Sequence, residues 1–379
     1  MSWDLDRRQL PDLARGAALL GSGGGGDPYV GRLMVDRALR DGGRVHVLDV
    51  EEVPDDALVI ATAMMGAPTV MNEKLPAGTE GVLALRTLEG HLGRRAAATI
   101  PMECGGINST MPLVVAAQTG IPVVDADGMG RAFPELQMET FGVYGVSGSP
   151  LAIANEHGDA TIVLAHDNEQ MEWLARGITI RMGGAALIAE YAMDGATMRR
   201  VSIPGTLRLC IELGAAIRQA RERHRDPLAA LADAIAPTIY RGPRLLFEGK
   251  VEDVLRRTTE GFTKGAATIR PHVAGPLLQL RFQNEHLIAE SEDGRGDETP
   301  PAPVRGGLGR QVLAVVPDLI CVLEAETAEP ITTEGLRYGQ RVQVVALTPP
   351  EIMRTPEALR VWGPAAFGLE CDYQPAVPA

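Results

Sequence analysis

Residues 57–66, ALVIATAMMG, form a continuous apolar segment of the kind found in a β-strand covered on both faces of its sheet. Similar short patterns predict further strands at 44–50, 96–103 and 121–127, with helices at 28–43, 79–92 and 110–120 between them. Strands that alternate with helices of this length are typical of parallel pairing in layered α/β folds. The sequence therefore predicts an N-terminal layered α/β domain with a mostly parallel sheet.

The chain has 379 residues, which is too long for one compact core and predicts two domains. The first, 1–168, holds the α/β sheet and closes with a β-hairpin at 151–165. The second, 169–379, is predicted to begin with helices and to continue with short strands separated by Gly and Pro, as in a small β-barrel or sandwich. We divide it into a helical part at 169–239, a β-rich part at 240–348 and a returning tail at 349–379.

Composition excludes several partner classes. The 36 Lys and Arg residues against 49 Asp and Glu residues give a net charge of −13, which argues against nucleic acid and anionic membranes as partners. The N-terminus lacks the apolar core of a secretory signal, and the four cysteines are scattered without close pairing. We therefore expect a cytoplasmic, reduced protein. Segment 292–310 is polar and rich in Pro and Gly, and we expect it to be mobile.

The glycines in LLGSGGGGDPYVG, residues 19–31, form an unusually bare segment. Gly21, Gly23 and Gly26 satisfy the dinucleotide-binding spacing, but that motif requires a preceding strand and residues 10–20 have helical periodicity. Asp27 is placed to cap the next helix, and its carboxylate would repel a phosphate. We expect the loop to approach a neutral or carboxylate-bearing organic ligand. The alternative is a tight turn between two helices.

Three predicted strands end in unusual sequences: AMMGAPTV (63–70), PMECGGINST (101–110) and VVDADGMGRAFPE (123–135). Ligands of open α/β sheets bind beyond the carboxyl ends of the strands, so these segments should converge on one edge with the glycines. The predicted catalytic residues are Glu103, Asn108, Asp125 and Asp127. The predicted substrate-binding residues are Gly23, Gly24, Gly25, Gly26, Asp27, Met65, Gly105, Gly106, Arg131 and Glu135.

Each of these residues has a plainer alternative. Asp125 and Asp127 are two apart, so on a continuing strand both would face the same side, but a single acid in a loop often only caps a helix. Arg131 suits a carboxylate clamp or a structural salt bridge equally well. We expect Cys104 to be a small buried residue and His166 to be a surface residue, and we expect Asn284 and Glu285 to shape a hairpin turn.

Several long segments resemble the S-methyl thiohydantoin desulfurase family from about residue 8 to 373: GSGGGGDPYVGRLM, AMMGAPTVMNEKLP, VVDADGMGRAFPELQM, FQNEHLIA, PDLICVLEAETAEPITTEGLRYGQRV and GPAAFGLECDY. The resemblance implies an N-terminal α/β domain, a β-rich C-terminal module and a link to hydantoinase/oxoprolinase-type proteins. It implies hydrolysis of an S-methylated thiohydantoin to the hydantoin with release of methanethiol. Cys104 stands where the family pattern has an aliphatic residue, which weakens a cysteine nucleophile.

Our hypothesis from the chemistry gives Asp127, or Asp125, the role of general base or metal ligand, and Glu103 the role of proton donor. The glycine N–H groups and Asn108 would hold the ring carbonyl. A divalent metal such as zinc is an alternative source of the activated water. The functional alternatives are a hydantoinase-type cyclic amidohydrolase, or a non-catalytic accessory subunit that binds the ligand. The expected partners are a small-molecule substrate and a second copy of the chain or a hydantoinase-type protein.

Overall fold

A computed structural model describes residues 1–67, 70, 74, 76–259, 261–292 and 310–378, and within them the chain forms two eight-stranded sheets. The segment predicted to be mobile, 292–310, lies almost entirely outside the described residues, as does part of 63–70. None of the helices in the described ranges combines the length and apolarity needed to span a lipid bilayer.

The first sheet is mixed. Its strands are β1 (Trp3–Asp4), β2 (His46–Leu48), β3 (Leu58–Gly66), β4 (Ala98–Pro101), β5 (Val123–Val124), β7 (Leu151–Ala154), β8 (Ala160–Val163) and β9 (Ala185–Asp194). They lie in the order β1-β2-β5-β4-β3-β9-β7-β8. Parallel pairing joins β2, β5, β4 and β3, and the remaining pairs are antiparallel. A separate short pair consists of β6 (Ala126–Asp127) and β10 (Ile203–Pro204).

The described part of the chain also forms α-helices, several of which pack on the first sheet. They are α1 (Leu10–Leu20), α2 (Pro28–Arg40), α3 (Glu80–Leu92), α4 (Met111–Thr119), α5 (Thr140–Val143), α6 (Asn168–Arg181), α7 (Gly195–Val201), α8 (Thr206–Glu222), α9 (Pro227–Ile235) and α10 (Pro356–Trp362). Asp27 caps α2 by accepting a hydrogen bond from the Tyr29 N–H, and Pro28 is the first helical residue, as the sequence predicts. Interior β3 is buried along almost its whole length, in agreement with its apolar sequence.

One prediction about this part of the chain is wrong. The sequence predicts a helical part at 169–239, but Ala185–Asp194 is β9, a strand in the interior of the first sheet that pairs with both β3 and β7. The segment is short and apolar on most positions, and periodicity does not distinguish such a run from a buried helix. The first sheet thus includes residues that follow the predicted domain boundary at 168.

The second sheet is entirely antiparallel and forms the β-rich module. Its strands are β11 (Arg241–Thr259), β12 (Phe262–Pro271), β13 (Leu277–Gln283), β14 (Glu285–Glu292), β15 (Arg310–Val315), β16 (Leu319–Glu324), β17 (Pro330–Ile331) and β18 (Arg341–Thr348). They lie in the order β15-β14-β13-β12-β11-β18-β16-β17 around a shared apolar core. After β18 the chain returns to the α/β part, where the buried ring of Trp362 stacks on Phe133 with ring centroids 5.1 Å apart.

Arg131 joins the two parts of the molecule. Its buried guanidinium donates to the main-chain oxygen of Ala132 at 2.9 Å, and across the boundary to those of Asp318 at 2.6 Å and His286 at 3.0 Å. These contacts use the fork of donors that arginine provides. Arg131 is therefore neither the carboxylate clamp nor the side-chain salt bridge considered from the sequence, but a link between main chains.

Replacing Arg131 with Met should lower the free energy of unfolding by about 3 kcal/mol, because buried carbonyl oxygens would lose their donors. Arg131→Lys should recover only part of this loss, since one ammonium does not reproduce the fork. Urea unfolding followed by circular dichroism measures the stability of both variants. The control is Arg360→Met, at an exposed position of α10. Equal midpoints for Arg131→Met and the control would contradict the structural role.

Candidate functional site

A cleft lies where the carboxyl ends of β3 and β4 meet the turn between β13 and β14 of the β-rich module. Its volume, measured as the space open to the centre of a water molecule, is about 40 Å³, and the 460 Å³ between its lining atoms includes open solvent. Its lining residues are Gly25, Gly26, Met64, Met65, Gly66, Met102, Glu103, Asn108, Phe133, Pro134, Glu135, Leu136, Arg176, Asn284 and Glu285. The predicted edge of the sheet is thus one side of the cleft, and the β-rich module forms the other side.

Glu103 follows β4 and supplies one carboxyl group to the cleft. Its Oε1 accepts a hydrogen bond from the Asn108 side-chain amide at 2.7 Å, while its Oε2 has no partner among the described residues. Burial raises the pKa of Glu103 well above its usual value, and the nearby charge of Glu285 raises it further. The protonated form of Glu103 is therefore favoured in the folded protein, and a protonated carboxyl group can donate its proton.

Glu285 supplies the second carboxyl group from the opposite side. Its Oε1 accepts a hydrogen bond from the Gly25 N–H at 2.9 Å, and its Oε2 has no partner in the described part of the chain. Burial raises the pKa of Glu285 to about 8, against the opposing effects of the Arg131 charge and the Gly25 N–H. Asn284 turns the chain with a φ of 58°, so the predicted hairpin turn is present, but Glu285 also lines the cleft.

The glycine loop approaches the carboxylate and another stretch of main chain. A Cβ on Gly24 would lie 2.1 Å from Glu285 Oε1, and a Cβ on Gly106 would lie 2.1 Å from the Gly25 oxygen. The loop is also bonded to the β-rich module, because Ser22 O accepts from the His286 N–H at 2.8 Å and Gly23 O from the Thr333 N–H at 2.6 Å. The missing side chains therefore allow Glu285 to reach the loop.

The two aspartates do not act as a pair. Asp125 lies at a break between β5 and β6, and its Oδ1 accepts from the N–H groups of Leu207 and Arg208 at the start of α8, away from the cleft lining. Asp127 is buried behind Glu103 and accepts from the Cys104 N–H at 2.7 Å and the Gly130 N–H at 2.8 Å. The expectation that both face the same side is wrong, because the strand does not continue through Asp125.

The other predicted residues divide between the cleft and its surroundings. Met65, Glu135 and Asn108 line the cleft together with Gly25 and Gly26. Asn108 is already bonded to Glu103 and to the main chain of Met64, so it positions the acid and has no group left for a substrate carbonyl. The remaining predicted residues support the loop from outside the lining: Gly23, Gly24, Asp27, Gly105 and Gly106.

Arg176 is a cleft residue that the sequence analysis did not identify. Its guanidinium is paired with Glu172 at 2.6 Å, donates to the Pro134 oxygen at 3.0 Å and lies 4.4 Å from the ring centroid of Phe262. Arginines in a helix are usually exposed, and the (i, i+4) spacing from Glu172 to Arg176 indicates only a local ion pair. Arg176 is identified only by the three-dimensional structure, because the Phe262 ring that it contacts belongs to the β-rich module and is distant in sequence.

Cys104 and His166 have the non-catalytic positions expected of them. Cys104 is fully buried, and burial raises the pKa of its thiol well above the usual value, which disfavours a nucleophilic thiolate. His166 is exposed and lies beside Asp167. In the described ranges, no three His, Cys, Asp or Glu side chains are grouped so that they could hold a metal ion. The donor set for the zinc alternative is thus not found there, and no step below uses a metal.

Together, these features define a class of protein: an α/β sheet and an antiparallel β-module that meet at a cleft with one buried glutamate from each. Family models match the S-Me-THD-like N-terminal domain at residues 8–165 and the S-Me-THD-like C-terminal domain at 166–376. The chain belongs to the S-Me-THD-like family, which confirms the resemblance seen in its sequence.

The fold is also found in a solved structure. A crystal structure of a protein from Chromobacterium violaceum matches with a TM-score of 0.79 and 24% identity, covering 99% of this chain and 100% of that chain. At this identity the likeness concerns the fold, and it confirms the predicted α/β class. No curated protein matches the chain.

Two further buried glutamates neighbour the site. Glu139 and Glu190 have no hydrogen-bond partner for any carboxyl oxygen among the described residues, and neither is exposed. Burial and the proximity of the two groups raise the pKa of Glu139 well above its usual value, and burial does the same for Glu190. Folding therefore favours the protonated form of both acids.

Replacing both Glu139 and Glu190 with Gln should weaken the dependence of stability on pH. A carboxyl group whose folded pKa is raised stabilises the fold below its unfolded pKa, and this contribution is lost as pH rises towards the folded value. The loss is about 1.4 kcal/mol per pH unit for each group. Urea unfolding between pH 5 and 8 should show a smaller decline for the double variant than for wild type.

The exposed Glu169 provides the matched control for this measurement, since Glu169→Gln should leave the decline unchanged. Parallel declines for the double variant and wild type would mean that Glu139 and Glu190 ionise normally in the folded state.

Proposed function

We propose that the protein is a hydrolase for a small cyclic hydantoin-like compound, and that it converts an S-methyl thiohydantoin to the hydantoin with release of methanethiol. The observation that carries the proposal is the cleft in which Glu103 and Glu285 each retain one carboxyl oxygen without a partner among the described residues. Membership in the S-Me-THD-like family supports the substrate class.

The reaction requires one base and one acid. Water adds to C2 of the ring as the base takes its proton, which gives a tetrahedral intermediate. The C2–S bond then breaks and its electron pair leaves with sulfur, while the hydroxyl proton on C2 passes to that sulfur, which leaves C2 as a carbonyl and gives methanethiol. The acid supplies a proton to the ring nitrogen, whose double bond to C2 is lost. After turnover, the proton taken up by the base replaces the one that the acid donates. Positioned general acids and bases accelerate such steps by about 10²- to 10⁴-fold.

The environments of the two glutamates assign these roles. Burial raises the pKa of Glu285 to about 8, and the Arg131 charge and the Gly25 N–H favour its ionised form. The Arg131 charge acts more strongly on Glu285 than on Glu103, and burial together with the Glu285 charge favours the protonated form of Glu103. We therefore assign Glu285 as the base and Glu103 as the proton donor, since separated pKa values distinguish acid from base. This replaces the assignment of Asp127 as the base.

The glycine loop has a narrower role in this scheme than the sequence suggested. The Gly25 N–H is already bonded to Glu285, so it fixes the base. Gly26 also lines the cleft without a side chain and leaves room for the ring to approach the main chain. Asp127 accepts hydrogen bonds from the main-chain N–H groups of Cys104, next to Glu103, and Gly130, and so acts as a positioning residue.

Glu103→Gln and Glu285→Gln should each lower kcat for methanethiol release by at least about 100-fold, because an amide neither donates a carboxyl proton nor accepts one from water. The assay measures released thiol from S-methyl thiohydantoins with the purified full chain, and Glu169→Gln serves as the control. Ring opening without thiol release would favour a cyclic amidohydrolase. Tight binding without turnover would favour an accessory subunit.

The pH profile of wild-type kcat/KM should rise through about pH 8 as Glu285 ionises. It should fall at higher pH, where Glu103 loses the proton that it donates. Glu285→Gln should remove the rising limb from its residual activity. A profile that stays flat from pH 6 to 9 in wild type would contradict the assignment of Glu285 as the base.

A further inference from the structure

The cleft has a methionine wall, formed by Met64 and Met65 at the end of β3 and Met102 after β4. All three residues line the cleft, and each is less than a tenth exposed; Met64 and Met65 are consecutive on β3, so their side chains leave opposite faces of the strand. Glu103 and Glu285 supply the polar groups of the same cleft. The space is therefore bordered by thioether side chains as well as by the acid and the base.

Met65 is held in place from two directions. Its main chain pairs with Ala186 of β9, and Thr179 Oγ1 on α6 lies 3.3 Å from its Sδ. The next residue, Gly66, lies so close to β9 that a Cβ would be 2.5 Å from the Gly184 oxygen. An unbranched side chain held in this way has a defined volume, although methionine is otherwise adaptable.

The wall is also tied to the proton donor. The Asn108 amide accepts from the Met64 N–H at 2.7 Å, donates to the Met64 oxygen at 3.1 Å, and donates to Glu103 at 2.7 Å. The Asn108 side chain therefore fixes the position of the Met64 main chain relative to the carboxyl group of Glu103. A group that lies on the wall is held at a fixed position relative to Glu103.

We infer that the methionine wall is the recess for the S-alkyl group of the substrate, and that Met65 sets the largest group it accepts. This inference rests on the proposed function. The leaving CH₃S– group is small and apolar, so burying it against thioethers removes its surface from water.

The test compares two substrate series with the purified full chain. One series varies the S-alkyl group as methyl, ethyl and propyl on a single ring, and the other varies the C5 substituent of the S-methyl compound. Met65→Ala should raise the ratio of kcat/KM for S-ethyl over S-methyl by about tenfold, since one methylene in an apolar pocket changes selectivity by this order. Its C5 selectivity should stay unchanged.

Met65→Val is a second, smaller truncation if the alanine variant does not fold, and Met65→Leu, which conserves volume, should retain wild-type selectivity. Thiol release with S-alkyl selectivity unchanged in the truncated variants, or a shift confined to the C5 series, would overturn the recess and leave the proposed function intact. If wild type releases no thiol from any S-alkyl compound, the proposed function and the recess both fall.

Discussion

The hydrogen bond from the Gly25 N–H to Glu285 Oε1 is the contact on which the cleft depends. It joins a loop between two helices of the α/β part to a turn of the β-rich module. It forms only because Gly24 has no Cβ where the carboxylate lies, and because Gly25 and Gly106 bring two main chains together. The same loop accepts hydrogen bonds from His286 and Thr333, so the bare glycines hold the two parts of the molecule in register.

The second constraint is electrostatic. Two carboxyl groups in one buried cleft raise each other's pKa, and both would be neutral if nothing separated them. Here Arg131 and a main-chain N–H favour the ionised form of Glu285, and the Arg131 charge acts less strongly on Glu103, whose Oε1 accepts from the amide of Asn108. Because Arg131 makes its hydrogen bonds to main-chain oxygens, its charge is not neutralised by a bonded carboxylate and continues to act on Glu285.

Local patterns predicted the half of the cleft that belongs to the first sheet. The carboxyl ends of β3 and β4 bring Met65 and Glu103 to the glycine loop because parallel strands end at the same edge. Glu285 could not be placed in the same way, since its approach depends on how a distant antiparallel module docks. The predicted position of Asp125 is wrong because β5 ends at the residue before it and the next short strand begins at the residue after it. Side chains on either side of this break do not alternate as they would on one continuous strand.

This division has a consequence for how the site works. The proposed acid lies at the end of a strand of the first sheet, and the proposed base lies in the second sheet. The distance between them is therefore set by how the two parts of the molecule pack together, and no single strand or loop determines it. Changes of about 1 Å in the placement of reacting groups can alter rates by about 100-fold. The interface is held by Arg131, by the hydrogen bonds of the glycine loop and by the returning ring of Trp362 on Phe133. These residues touch no substrate in the proposed scheme, yet they fix the position of the base relative to the acid on the other side of the ring.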